Sequence, residues 1–397
     1  MKVNKNFLFL LLGQSVANLG DVFYIVSTIS ILYQLTGSAT VSAFVPFSIT
    51  SAMFISSILT PLAIGKWRLK TILLSSQIGK TILLAGLGVF VLLFLNDTNY
   101  YYIFFLIVCI AFLDGCANPI LSSFLPYYVE DNQLVRANSI VESITQMIQI
   151  GAWLFGGLLL FALSPTQLIW LVSLLFVLSC VFLFFIENVH HVGEKEKKLW
   201  SQLTAGWKSI RSSPILRKLV QMDILETIAG TVWIAAILYV FVEQALHVGE
   251  QWWGLINGVF FIGLLLGSFY CIKFPHIVDQ YKFQFIIFGA FFCGILTILF
   301  GVTSHPIVAL VLSVFIGLSS QLKNIPQQTI VQRSVSTDKL VTVYTSMGTV
   351  VTGVFGVSSL LMGVLVDLLG VRIVFAFSGL LLLVVSIMVI KNKKLIE

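Results

Sequence analysis

The stretch FLFLLLGQSVANLGDVFYIVSTISILYQL, residues 7–35, is apolar or neutral along almost its whole length and carries one charge, Asp21, near its middle. With a rise of 1.5 Å per residue, about 20 such residues cross a hydrocarbon core of about 30 Å, so the stretch reads as a membrane-spanning helix. It is too long for the apolar part of a secretory leader and no small-residue cleavage pattern follows it, so it is expected to be retained. A carboxylate at mid-depth costs about 2.5 to 3.5 kcal/mol on insertion scales, so Asp21 must face a partner, a cavity or a proton.

The same kind of run recurs down the chain. Of the 397 residues 58% are hydrophobic and only 10% charged, against about 25% charged in a soluble domain. This excludes a soluble enzyme or a nucleic-acid-binding domain and predicts an all-α membrane protein. Runs of spanning length lie at 7–33, 39–64, 71–95, 100–126, 138–163, 167–187, 216–242, 251–274, 283–303, 306–325, 340–366 and 371–390, twelve transmembrane helices in all. With both termini in the cytoplasm, nearly all of the 23 Lys and Arg fall at cytoplasmic ends; Lys80 lies inside a span and Arg372 flanks an outer loop. The net charge of +6 therefore reports topology in a cell membrane rather than a nucleic-acid partner.

The longest polar stretch, ENVHHVGEKEKKLWSQLTAGWKSIRSSPILRK at 187–218, divides the spans six and six. Pro126 ends the fourth span and Pro326 the tenth, which fits two six-helix pseudo-repeats in parallel. The expected domains are 1–190, a cytoplasmic linker at 191–215, and 216–397. Within the linker, Leu199, Leu203, Trp207 and Ile210 form one stripe of an amphipathic helix, with Lys198, Lys208 and Arg211 placed for anionic lipid. The five cysteines sit in apolar runs without metal spacing, His190 and His191 lack companions, and no phosphate-cradling G-x-x-x-x-G-K-[ST] loop is present. No cofactor, metal or ATP-driven chemistry is expected, and nothing points to an enzyme or to an oligomer.

Five local patterns follow in order: F-L-x-L-L-x-G-Q-x-x-x-x-L-G-D at 7–21, YQLTGSA at 33–39, LP-x-x-V-x(4)-L-x-x-ANS at 125–139, W-x-x-I-x-x-SP-x-L-R at 207–217 and P-x-Q-T-x-x-Q at 326–332. Together with the six-plus-six arrangement they resemble the major facilitator superfamily, in particular its macrolide-efflux and enterobactin-exporter-like branch. That resemblance implies a major facilitator fold, alternating access, and a central cavity lined by spans one, four, seven and ten. The chain also departs from the pattern. After span two, PLAIGKWRLK (61–70) keeps Lys66, Arg68 and Lys70 of the expected gating loop and lacks its Asp; span three has Gln77 and Lys80 where the branch often has Asp and Arg. Trp153 in GAWLFGG (151–157) stands where antiporters tend to have Gly-Pro.

Polar groups inside the spans are the candidate site. Gln14, Asn18 and Asp21 follow i, i+4, i+7 spacing and share one helix face, which Thr28 extends. Asp114 is mid-span with Asn118 one turn on; Glu142, Gln146 and Gln149 form a stripe on span five; Asp223 and Glu226 lie one to two turns into span seven, and Lys323 and Asn324 near one end of span ten. A carboxyl group away from water costs less as the neutral acid, so Asp21, Asp114 and Glu226 are the proton-coupling candidates. Gln14, Asn18, Asp21, Asn118, Gln146, Gln149, Asp223 and Trp233 are the substrate candidates, and Glu142, Lys66 and Arg68 the gating ones. The competing reading for each acid is a structural pair: Lys80 can neutralise Asp114, and Arg217 or Lys218 can anchor Asp223, while Asp21 has no evident partner. Gly254, Gly258, Gly263 and Gly267 of span eight are expected to allow close helix approach.

The expected function is export of an amphipathic small molecule, macrolide-like or a secondary metabolite, in exchange for protons, by a monomer whose other partner is membrane lipid. A facilitator or importer of a specific metabolite is the alternative, favoured by the absent Gly-Pro; a non-transporting membrane sensor is another.

Overall fold

The computed structural model describes residues 4–36, 39–64, 66–189, 204–233, 235–249 and 251–393. Its helices are α1 (Lys5–Thr36), α2 (Ala39–Ile64), α3 (Leu69–Leu93), α4 (Tyr101–Tyr128), α5 (Leu134–Ala162), α6 (Pro165–Phe184), α7 (Ala205–Ser212), α8 (Pro214–Gly230), α9 (Ala235–Gln244), α10 (Gln251–Lys273), α11 (Pro275–Gln280), α12 (Lys282–Val302), α13 (Pro306–Arg333), α14 (Thr337–Leu369) and α15 (Val371–Lys391). Among the described residues ten helices are long and apolar enough to cross a membrane alone. Pro214–Trp233 and Ile237–Gln244 pass the same test only together, bent by 47°, and count as an eleventh when taken as one span, so the span expected at 216–242 is not one straight helix. α5, with 29 residues, has the length of a twelfth.

Local signals in the sequence account for several helix ends. Ser164 accepts from the Gln167 amide while Gln167 returns a bond to the Ser164 amide, and Pro165 opens α6 where no donor is needed. At α8 the Ser213 side chain accepts from the Leu216 amide and Pro214 takes the first helical position. Of the expected linker helix, Trp207 and Ile210 fall on α7, where Ile210 is buried and Trp207 exposed; Leu199, Leu203, Lys198, His190 and His191 lie outside the described residues.

The chain forms two compact units, the first made of residues 1–130, 147–207 and 337–349, the second of 131–146, 208–336 and 350–397. In the first, α1 packs on α6, α2 on α4, and α3 on both α4 and α6. In the second, α8 packs on α15, α10 on α13, and α12 on both α13 and α15. Numbered as spans, the partners are 1–6, 2–4, 3–4 and 3–6, then 7–12, 8–10, 9–10 and 9–12, so the packing repeats as the sequence halves do. Residues 131–146 and 337–349, which begin roughly 200 residues apart, each join the unit of the opposite half.

Glycines set two of the contacts. A Cβ on Gly263 would stand 2.0 Å from the Val314 carbonyl oxygen, and one on Gly317 2.2 Å from that of Phe260, so α10 and α13 cross with backbones touching. A Cβ on Gly254 or Gly258 would meet nothing within 4 Å among the described residues; of the four glycines expected to mediate close approach, Gly263 and Gly267 do so and these two do not. Gly263→Val is therefore expected to cost about 1–3 kcal/mol or more through overpacking. Gly258→Val should leave the melting temperature of the detergent-purified protein near that of the parent, and equal losses in the two variants would contradict this assignment.

Candidate functional site

In the first unit, the motif around Asp21 explains itself through α6. Cβ atoms on Gly13 and Gly20 would fall 2.9 Å from Leu183 and 2.6 Å from Phe176, and the Ser179 hydroxyl donates to the Gly13 carbonyl at 2.8 Å. The two glycines, two turns apart, let α6 lie directly on α1 and bring the Phe176 ring beside Asp21's neighbours. That ring faces the Lys80 ammonium, with 4.9 Å from Nζ to the ring centroid.

Lys80 is the hub of the cluster. Its Nζ donates to Asp21 Oδ1 at 2.8 Å and Oδ2 at 3.1 Å, and to Asp114 Oδ1 at 2.7 Å. Lys80 is 1% exposed, Asp21 21% and Asp114 25%, so the base is sealed while each acid keeps an open edge. Asn118 donates to Asp114 Oδ2 at 3.3 Å, and Gln14 to Asn18 Oδ1 at 2.7 Å. The expected Lys80–Asp114 pair is present, and Asp21, for which the sequence offered no partner, shares the same base. Thr28 is fully buried and donates to the Tyr24 carbonyl, so the polar face of α1 ends at Asp21.

The second unit holds a cluster with the same charge balance. Lys323 on α13, 4% exposed, pairs with Glu226 on α8 at 2.5 Å, and Gln327, one turn on, donates to Asp223 Oδ1 at 2.8 Å. Asp223 is thus held by Gln327 rather than by Arg217 or Lys218; Lys218 donates to Gln221. Glu226 Oε1 and Gln327 Oε1 are buried without a partner among the described residues, two acceptors free to receive a donor. A Cβ on Gly289 would sit 2.7 Å from Lys323 Cβ, so the close approach of α12 is what seals the lysine stem.

The other candidates are distributed. Glu142 accepts from Gln328 at 3.2 Å, and Gln146 is buried with Oε1 unpartnered among the described residues. Gln149 is half-buried, and Lys66 and Arg68 are exposed. Trp233 stacks on Phe260 at 5.8 Å and packs against Phe300 and Phe375 at 4.9 and 5.4 Å, an aromatic group continuous with the second unit's core. Two features escaped the sequence reading: Lys323 and Gln327 as partners of the span-seven acids, although their i, i+4 spacing in LKNIPQQ was visible, and the glycine pair that seats α6.

Each unit thus keeps a sealed base opposite more carboxylates than it can neutralise, held on helices that cross the membrane. Residues 10–356 match the family model of the Major Facilitator Superfamily. The chain belongs to this superfamily. This major facilitator protein is 30% identical over 389 residues to YfmI of Bacillus subtilis (strain 168), an uncharacterized MFS-type transporter, with 97% of this chain and 96% of the relative covered. It is 27% identical over 407 residues to YjbB of the same organism, described in the same words, covering 99% and 97%. Its fold matches the human organic anion transporter MFSD10 (TETRAN) with a TM-score of 0.81 at 10% identity, over 97% of this chain and 99% of that one. It also matches a bacterial homologue of the iron transporter ferroportin in an outward-facing state, with a TM-score of 0.78 at 16% identity, over 98% and 99%. The protein is a multi-pass membrane transporter of the major facilitator fold.

Proposed function

We propose that this transporter exports an amphipathic, cationic small molecule across a bacterial cell membrane in exchange for protons, by alternating access, as a monomer with both termini in the cytoplasm. Its motifs at 7–21, 33–39, 125–139, 207–217 and 326–332 resemble those of the macrolide-efflux and enterobactin-exporter-like branch. The observation that carries the reading is the charge balance: Asp21 and Asp114 share Lys80, and Lys323 pairs with Glu226 while Asp223, three residues before Glu226, is held by Gln327. Each cluster has one carboxylate more than its base neutralises. In a low-dielectric surrounding that surplus calls for a proton or a cationic group, and only one of them at a time. Loading a cationic substrate then releases a proton, which is the exchange an antiporter needs. Gln14, Asn18 and Asn118 supply neutral donors and acceptors on the helices that carry Asp21 and Asp114.

The test is proton release when candidate cationic drugs are added to the detergent-purified protein in weak buffer. Asp21→Asn leaves Lys80 and Asp114 as a balanced pair, and Glu226→Gln leaves Lys323 with Asp223. Each is expected to remove a share of the release, and the double variant most of it. Release unchanged in both single variants would refute the assignment. Trp153 in place of Gly-Pro favours a second reading, a facilitator or importer; uptake of labelled substrate that persists in Asp21→Asn would support it.

A further inference from the structure

Helices α3 and α6 pack together and leave a groove of about 430 Å³ along their outer side. One wall is Leu74, Ile78 and Ile82 of α3, the other Val177, Val181 and Phe185 at the end of α6. Both walls step by four residues, so each is one face of a helix. Ile82 is 65% and Phe185 57% exposed, as suits side chains that meet hydrocarbon. The α3 face begins one turn earlier, at Lys70, and from Lys70 to Ile82 is about 18 Å, a little more than half of a core about 30 Å thick. The groove is therefore about one leaflet deep, with a cation at its mouth.

That cation is held in place. Lys70 Nζ donates to the Phe184 carbonyl at 2.7 Å and lies 5.4 Å from the centre of the Phe184 ring, and an ammonium retains two further donors. Arg68 and Lys66 stand exposed just before it. No Asp or Glu occurs anywhere in α3 or α6, and the first acid after α6, Glu187, is tied to Asn6 through its carboxylate and its amide. Three cations beside two helices that carry no acid favour a ligand with net negative charge, and an ammonium-bearing headgroup would meet repulsion.

We propose that this groove binds one anionic phospholipid, its acyl chain lying between α3 and α6 and its phosphate held by Lys70 and Arg68. In the orientation proposed above the mouth lies in the cytoplasmic leaflet, where anionic lipids concentrate. The floor of the groove is Thr81 and Cys180, 3.5 Å apart, and Thr81 follows Lys80 directly. A bound chain thus braces the α3–α6 contact from behind the buried charge cluster.

The full chain in detergent, titrated with dioleoyl phosphatidylglycerol or dioleoyl phosphatidylcholine and followed by native mass spectrometry, tests this. The first phosphatidylglycerol is expected to bind on the order of tenfold more tightly than phosphatidylcholine. The double variant Arg68→Gln, Lys70→Gln should bring the two lipids level. Ile82→Trp, at an exposed position, should fill the groove and weaken both lipids, and Val177→Trp serves if that variant fails to fold. Preference for phosphatidylglycerol that survives Arg68→Gln, Lys70→Gln would overturn the proposal. So would unchanged lipid binding in the groove-filling variant, or inorganic phosphate that competes as well as the lipid does.

Discussion

Lys80→Met is expected to abolish transport and to destabilise the protein more than any single change to the acids around it. The ammonium is 1% exposed and bonded to both Asp21 and Asp114, so its removal leaves two carboxylates facing one another with no base. Breaking a buried ionic group in this way costs about 3–5 kcal/mol, because the remaining charges stay buried and uncompensated. Asp21→Asn or Asp114→Asn is milder: each leaves one acid on one base, and each removed carboxylate was itself partly open, at 21% and 25% exposure. The order expected in a melting series is therefore parent, then the two Asn variants close together, then Lys80→Met well below. A triple variant, Lys80→Met with both Asp→Asn changes, should regain much of the lost stability while remaining inactive, since no buried charge is then left alone. If Lys80→Met melted together with Asp21→Asn, the shared-base description of the cluster would be wrong.

That ordering could not be derived from the sequence, and the reason is geometric. Hydropathy and the distribution of Lys and Arg depend on composition over about 20 residues, which is why the spans, their grouping into two halves and the all-helical class were legible. Which side chains meet across helices depends on packing. The stripe Gln14, Asn18, Asp21 was readable because it lies on one helix, and Gln14 does bond Asn18. The partner of Asp21 lies 59 residues away on α3, and the relative position of those helices is set by how both pack on α6. Asp223 shows the same limit: Arg217 and Lys218 were near in sequence, yet Gln327, 104 residues on, takes the bond. The bend between Pro214–Trp233 and Ile237–Gln244 was hidden for another reason, since the two segments belong to one apolar run in the sequence. The crossing of 131–146 and 337–349 into opposite units was likewise invisible to composition, which locates helix ends and says nothing of what they touch.

The second large effect is expected at one of those exchanged segments. Arg333→Ala should loosen residues 131–146 from the second unit. The Arg333 guanidinium donates from Nε to Asp131 Oδ1 at 2.9 Å, from Nη1 to Asp279 Oδ1 at 2.5 Å, and from Nη2 to the Asp131 carbonyl at 2.5 Å and Asp279 Oδ2 at 3.2 Å. Here too a single base serves two acids, this time through a planar fork whose donors a lysine lacks. Beside it Asn138 and Gln332 exchange amide bonds at 2.7 and 3.0 Å, Asn138 reaches Thr329 at 3.2 Å, and Gln328 meets Glu142. Asp131 is 73% exposed, so its ion pair alone is worth little; the better-shielded Asp279 bonds and the carbonyl bond contribute more. Together their loss should amount to about 2–3 kcal/mol, in the range of charge-assisted hydrogen bonds. The measurement is alkylation of a cysteine at Ser139, a fully buried position on the segment, in a chain whose native cysteines are replaced. Arg333→Ala should speed the reaction on the order of tenfold or more, since each 1.4 kcal/mol is a factor of ten in the open population. Arg333→Lys should restore less than half of the protection on a logarithmic scale, because an ammonium on a single stem cannot address Asp131 and Asp279 together. Equal labelling in all three proteins would mean that the Asn138–Gln332 amide pair holds the segment without the arginine, and that the segment opens by parting those amides instead.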